Sequence, residues 1–488
     1  MASKKFRRIF FWILVLLFIA TTPVVIFYAR GYRFSFERGI FIYSGSITIK
    51  PNPQKVGVFL DGKQVSSKKL NPINNSYHID GIRPGEYLLE LKLSDYNDWS
   101  KKITIHSGIS TEFWNVLLTR KEYAKKNYNT SGMEKFFMSP DRKLVAYTQN
   151  EDQNFSVKIL DLDSEEIEIV FSSTDYRFNK EDFEKEKENI EWSPQSHKLI
   201  IPTFNGERKN YFIADIKKKE IINLENITKS DELKNVRWDS VRKDSIYYIS
   251  ENNLYRMSLS DSEKNIIAEN ISGYDISSRD IYYFQLPSGI VYRINPENNK
   301  IISQVTTSPP NDMSDVSYRI IVFDEKRLAI LNKIGKLYIY NDGEKEKYFS
   351  ELSQDASNIH FSNDGKKILY WTNNEINVYF TREWDVQPQR QENDIKYITR
   401  FSEKINNVQW SKDYEHVIFT VGKELKIVEL DHRDNRNLTN ITTLNTNNSN
   451  VITDFFESKI YFTDTNEGQS SLYSINFPEK TGILGLGN

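Results

Sequence analysis

The chain of 488 residues contains no cysteine. Disulfides, thiolate catalysis and cysteine-ligated zinc are excluded together, so packing alone must hold the fold. An excess of one charge is also missing. Lys and Arg number 65 against 67 Asp and Glu, a net charge of −2, which gives no bulk attraction to nucleic acid, and no nucleic-acid partner is expected. Histidine is scarce: His78, His106, His197, His360, His416 and His432, with no H-E-x-x-H among them, so zincin chemistry has no scaffold. There is no G-x-S-x-G. The terminal "GILGLG" lacks the strand, turn, helix and lysine of a phosphate loop and reads as a frayed tail. "DLDSEE" (161–166) lacks the spaced Asp-Gly loop of a calcium site and reads as a solvated turn. No catalytic residue, cofactor site or metal ligand stands out, and a non-enzymatic protein without cofactor is the expectation.

What is present points to β-structure. Hydrophobic residues make up only 39%, yet there are 28 Tyr, 29 Phe and 8 Trp, and flat rings pack well on pleated sheets. The length implies two or three domains. One apolar run departs from the rest. After Lys4, Lys5, Arg7 and Arg8, residues 9–29 carry no charge; as a helix they reach ~30 Å, the thickness of a bilayer core. Trp12 and Tyr28 lie near its ends, and Pro23 is tolerable in a membrane helix. The run exceeds a signal-peptide core and no A-x-A-like site follows, so an uncleaved anchor is preferred to a cleaved signal. Arg30, Arg33 and Arg38 follow the span, but the basic residues ahead of it, with the amino terminus, place residues 1–8 in the cytoplasm as a short tail. The chain is thus expected in the cell membrane, single-pass, with its bulk extracytoplasmic.

Beyond a linker at 30–44, short alternating runs fill residues 45–119: "SITIK", "VGVFLDGKQV", "GEYLLELKL", "KKITIHSG" and "FWNVLL". They predict a small antiparallel β-sandwich, with Asp61-Gly62 as a hairpin signal. In "DGIRPGEYLLELKL", Tyr87, Leu89, Leu91 and Leu93 share one face, opposite Glu90 and Lys92. Asp61, Gly62, Pro84 and Gly85 are explained by turn geometry. Trp99 and Trp114 could stack on sugar rings, although a rim aromatic in a small sandwich more often packs.

The order "IKPNP", "VGVFLDGKQV", "GIRPGEYLLELKLSDYNDW", "ITIHSG" resembles the PEGA domain, and "YARGYRFSFERGIFIYSGSITIKPNP" is similar to the approach in membrane-anchored PEGA proteins of bacteria. Asp95-Tyr96 stands where Gly-Tyr is usual, and the Thr-Pro pair after the Asp-Gly hairpin is absent, with only Asn71-Pro72 there. The resemblance implies a binding or spacer module in the cell envelope and brings no catalytic residues.

After a polar linker (120–133), residues 134–480 repeat one pattern eight times, from "FFMSPDRKLVAYTQN" to "VITDFFESKIYFTDTNEGQSSLYSINFP". The spacing is about 43 residues, the length of a four-stranded propeller blade. One such unit cannot bury both faces, so the copies must stack around an axis. The fold class is therefore mainly β: an N-terminal transmembrane helix, a PEGA-like sandwich, a β-propeller of eight blades with seven as the alternative, and a tail at 481–488. "W-S-P" at Trp192, "F-S-N-D-G-K-K" at Phe361 and "W-S-K-D" at Trp410 resemble TolB-like and WD40-like repeats; these aromatics are expected between blades, with Ser and Asp closing the turn. "FNKEDFEKEKEN" (178–189) reads as an exposed charged insertion.

The expected function is a membrane-anchored binding or scaffold protein of the bacterial cell envelope, its ligand a protein or an envelope glycan, with binding residues unassigned. The alternatives are a glycan-active propeller enzyme using channel carboxylates and a membrane sensor subunit. A truncation beginning near Lys135 is expected to be soluble, monomeric and catalytically silent.

Overall fold

The structure, a computed structural model, describes residues 4–479 apart from 36–38, 66–67, 72–74, 152, 179–189, 207, 231, 299, 312, 314–316 and 346. The charged insertion after Phe178, Pro72 and the terminal "GILGLG" lie outside the described residues.

Lys4–Ala29 form one helix with mean hydropathy 2.7 over its most apolar window, none of that window buried against the rest of the protein. It is long and apolar enough to cross a membrane. The polar side chains in mid-span turn back on the helix: Thr21 Oγ1 donates to Leu17 O at 2.9 Å and Thr22 Oγ1 to Phe18 O at 2.6 Å. Such self-satisfaction is what a hydrocarbon surrounding demands. A hairpin of Tyr32–Ser35 and Ile40–Tyr43 follows within residues 30–44. Gly31 and Gly108 bring the helix end against the sandwich. A Cβ on Gly31 would lie 2.5 Å from Gly108 Cα, and both residues have positive φ (86° and 74°), so neither position accepts a side chain. Ser44 stitches the joint, its N–H donating to Gly31 O at 3.1 Å and its carbonyl accepting from Gly108 N at 3.0 Å.

Residues 45–117 build two four-stranded sheets over one core. The first runs Ser110–Leu117, Gly45–Asn52, Ser76–Ile82, Lys68–Asn71; the second runs Lys63–Gln64, Gly57–Leu60, Gly85–Lys92, Trp99–Ile105. Leu89 and Leu91 are fully buried, as their alternation predicts, and Tyr87 and Leu93 pack at the core edge. Asp61 and Gly62 both have positive φ (47° and 74°), the two-residue turn that matches strand twist. Asp61 Oδ1 also accepts from Leu88 N at 2.8 Å. The expected all-antiparallel pairing is corrected at one place. Ser110–Leu117 pairs with Gly45–Asn52 in parallel, because the chain leaves the second sheet after Ile105 and crosses to the first before pairing.

Residues 126–476 form a β-propeller. Eight successive sheets are described, at 133–173, 177–223, 234–268, 271–304, 318–353, 358–400, 405–443 and 451–476, in antiparallel meander order. Eight apolar clusters each join two consecutive sheets, and one of them unites Phe136 and Val145 of the first sheet with Tyr461 and Leu472 of the eighth. The ring is therefore closed by packing. It is also closed by hydrogen bonds: Lys126–Asn127, ahead of the first sheet, pairs with Ser474 and Tyr473 as the outermost strand of the eighth. A strand borrowed across the ends removes the free edges of an open stack.

The recurrent aromatics lie between sheets. Trp192 Nε1 donates to Phe137 O (2.9 Å), Trp410 Nε1 to His360 O (3.2 Å), and Phe361 packs on Phe323 at 5.6 Å, each reaching the preceding sheet. The Ser and Asp that follow close the turn. Ser362 Oγ donates to Asp364 Oδ1 (2.7 Å) and accepts from Lys367 N (3.0 Å). In "DLDSEE", Asp161 Oδ1 accepts from Ser164 N and Asp163 N at 2.9 Å, and these two donors hold its carboxyl below the ordinary range.

Candidate functional site: the junction of sandwich and ring

The strand Trp99–Ile105 buries every second residue: Trp99, Lys101, Ile103 and Ile105. Three of these are apolar. The fourth is a lysine with 0% exposure, at a position whose period-2 phase assigns it to the interior. A buried ammonium requires a counter-charge and further hydrogen bonds. It finds them in the seventh sheet of the ring. Lys101 Nζ lies 2.5 Å from Glu429 Oε1 and donates to the carbonyls of Asp431 (3.0 Å) and Asn435 (2.7 Å). Glu429 is saturated in turn, accepting from Trp99 Nε1 at 3.0 Å and from Asn437 N and Nδ2 at 2.8 and 2.9 Å.

Around this pair the two bodies are sewn together. Arg433 is held by Asp431 at 2.5 Å, donates to Glu112 O at 2.8 Å and lies 4.0 Å from the centre of the Phe113 ring. Although burial opposes it, Arg433 keeps the Asp431 carboxyl below its ordinary range. Lys102 N donates to Asp434 Oδ2 at 2.8 Å, and Gln387 of the sixth sheet exchanges two bonds with the backbone of Ser110 and Glu112. Arg120 and Tyr96 both bond Glu479. Leu117 packs on the cluster between the seventh and eighth sheets.

Next to the pair, His416 Nδ1 lies 2.7 Å from Asp413 Oδ2. Burial opposes charging the ring, but Asp413, with Glu429 and Glu415 behind it, holds the imidazole above its usual value. Asp413 is correspondingly lowered against its own burial, chiefly by His416. Glu415 pairs with Lys367 and with Arg390 at 3.2 Å. Elsewhere, Asp275 is held by Arg237 at 2.5 Å and accepts from Val322 N at 2.8 Å. Among the described residues no group of three or more His, Asp or Glu could hold a metal ion.

Two clefts open where the sandwich meets the ring. One, of about 780 Å³, lies between Asn97, Asp98, Lys121, Glu122, Tyr123 and Lys125 and the outermost strand Leu438–Thr443 of the seventh sheet. The other, of about 390 Å³, is lined by Lys50, Asn52, Asn75 and Trp114 of the sandwich and by Ser411 and Lys412 of the ring. The two tryptophans raised by the sequence therefore part company. Trp99 is 2% exposed and serves the junction, whereas Trp114 is half-buried and lines the second cleft.

No sequence motif marks the junction. Lys101 lies outside the repeats and Glu429 inside one of them, far apart in the chain; the one signal is a lysine in phase with Ile103 and Ile105.

No family model matches the sequence, and no curated protein matches it. Among solved structures the chain is similar to the propeller of Dos1 (14% identity, TM-score 0.47, covering 72% of this chain and 95% of that one). It is also similar to the Cps50 (Swd1) propeller of Myceliophteria thermophila (11%, 0.40, 71% and 98%) and to TolB from Acinetobacter baumannii (12%, 0.29, 60% and 57%). The ring assignment rests on the sheet order and shared cores described above.

Proposed function

We propose that this protein is a non-catalytic, single-pass membrane protein that holds a binding body outside the cytoplasm: a PEGA-like sandwich locked onto an eight-bladed propeller, receiving a protein or glycan of the cell envelope. The observation that carries the reading is the buried Lys101–Glu429 pair at the sandwich–ring boundary. A loose spacer would leave such charges in water; desolvating both is tolerated only where the two bodies keep one arrangement. With Gly31 seated on Gly108 of the sandwich, orientation is passed from the helix towards the ring. Support for a binding role comes from three of the buried carboxylates, Glu429, Glu415 and Asp275, each held by lysine or arginine, whereas a glycosidase needs two carboxyl groups directed at substrate. The topology follows from the basic residues ahead of the span.

The test uses cells producing the full chain with an N-terminal epitope. Added protease is expected to digest the ring while the epitope stays protected, and purified protein is expected to leave envelope glycans and peptides unchanged. Protection of the ring, or steady turnover, defeats the proposal.

A further inference from the structure

The smaller cleft at the junction is a built site, and a bulge builds it. In the strand Ser110–Leu117, Phe113 pairs with Ile49 and Val116 with Pro51, so Trp114 and Asn115 together stand opposite Lys50 alone. The extra residue breaks the inward–outward alternation. Phe113 and Val116 both stay in the core, and Trp114 is released from it to line a cleft of about 390 Å³, within the size range of small-ligand sites. The indole is fixed, because its Nε1 donates to Glu112 Oε2 at 2.8 Å, so the polar edge of the ring is spoken for. Two lysines and one carboxylate lie at the rim. Lys50 and Lys412 are exposed and have no carboxylate partner among the described residues, while Asp413, which also borders the cleft, is held by His416.

We propose that this cleft binds an acidic saccharide, one sugar ring resting on Trp114 and its carboxylate drawn between Lys50 and Lys412. The proposal rests on the binding reading above and names the ligand class for it. A flat ring with its N–H already used suits the apolar face of a pyranose, and two ammonium groups on opposite walls suit an anion. A neutral sugar would leave those charges unanswered.

The experiment is calorimetric titration of the full chain in nanodiscs with a glucuronic acid tetrasaccharide and with the matched neutral glucose tetrasaccharide. The acidic sugar is expected to bind at least tenfold more tightly, with affinity falling as salt rises. Trp114→Ala is expected to lower that affinity at least tenfold. Lys412→Ala, a change on an exposed turn that the fold does not need, is expected to lower it several-fold while leaving neutral-sugar binding unchanged. Equal affinity for the two sugars, no binding of either, or unaltered binding by both variants overturns the proposal. The sugar is recovered and sized afterwards: a shortened product would defeat the non-catalytic reading, whereas failure to bind defeats this inference alone.

Discussion

Lys101 and Glu429 show what a single inward-facing charge implies. Each has 3% side-chain exposure or less, and each depends on the other. Removing one partner by Glu429→Ala or Lys101→Ala leaves a buried ion uncompensated and is expected to destabilise the chain by about 3–5 kcal/mol. The double change Lys101→Met with Glu429→Gln is expected to recover most of that loss. Denaturant titration of the full chain in detergent, read by tryptophan fluorescence, measures both. His416 adds a pH dependence. Burial opposes charging it, but Asp413, Glu429 and Glu415 raise its folded pKa. A raised folded value means that the stability it contributes is complete below about pH 6.5, the ordinary value, and is lost as pH rises through the folded value. His416→Gln should therefore lower the melting temperature more at pH 6 than at pH 9. A loss equal at both pH values would mean that the ring acts by packing alone.

At the scale of elements, two short pieces carry more than their length suggests. The turn Asp61-Gly62 needs positive φ at both residues, and Gly62 has open space around it. Gly62→Ala therefore meets backbone strain rather than a clash and is expected to cost about 1 kcal/mol, seen in the same titration. The strand Lys126–Asn127 closes the eighth sheet, and Thr130 Oγ1 accepts from Leu472 N at 2.9 Å beside it. Its two residues lie inside a stretch, "KEYAKKNYNTSG", that reads as a polar linker. No alternation marks a two-residue strand, and only the presence of Gln469–Asn476 alongside makes it one. The inner strands of the ring, by contrast, were legible residue by residue. Trp192, Phe361 and Trp410, placed between blades by their recurrence, bond or stack on the preceding sheet.

For the whole molecule, the junction decides where the chain can be cut. A truncation beginning near Lys135 removes the closing strand, Thr130 and every sandwich partner of Glu429. It is expected to melt on the order of 10 °C below a truncation beginning at residue 30, since the last sheet loses its closing strand and the seventh sheet loses its contacts with the sandwich. Equal melting temperatures by differential scanning fluorimetry would show that the two bodies are independent. The truncation at residue 30 lacks the apolar helix and is expected to leave the membrane fraction, while the full chain stays in it.

Periodicity decided the classes of element: an uncharged run long enough to span, alternation of period 2, and a repeat near 43 residues. These follow from local rules, because a strand exposes alternate side chains and a helix rises by a fixed step whatever surrounds it. Three things came from tertiary structure alone. The parallel pairing of Ser110–Leu117 depends on which edge is free when the chain arrives. The separation of Trp99 from Trp114 depends on which one the ring covers. The joining of Lys101 to Glu429 depends on two bodies meeting across more than three hundred residues of chain. Each is a contact between surfaces, and local pattern describes a surface without saying what it touches.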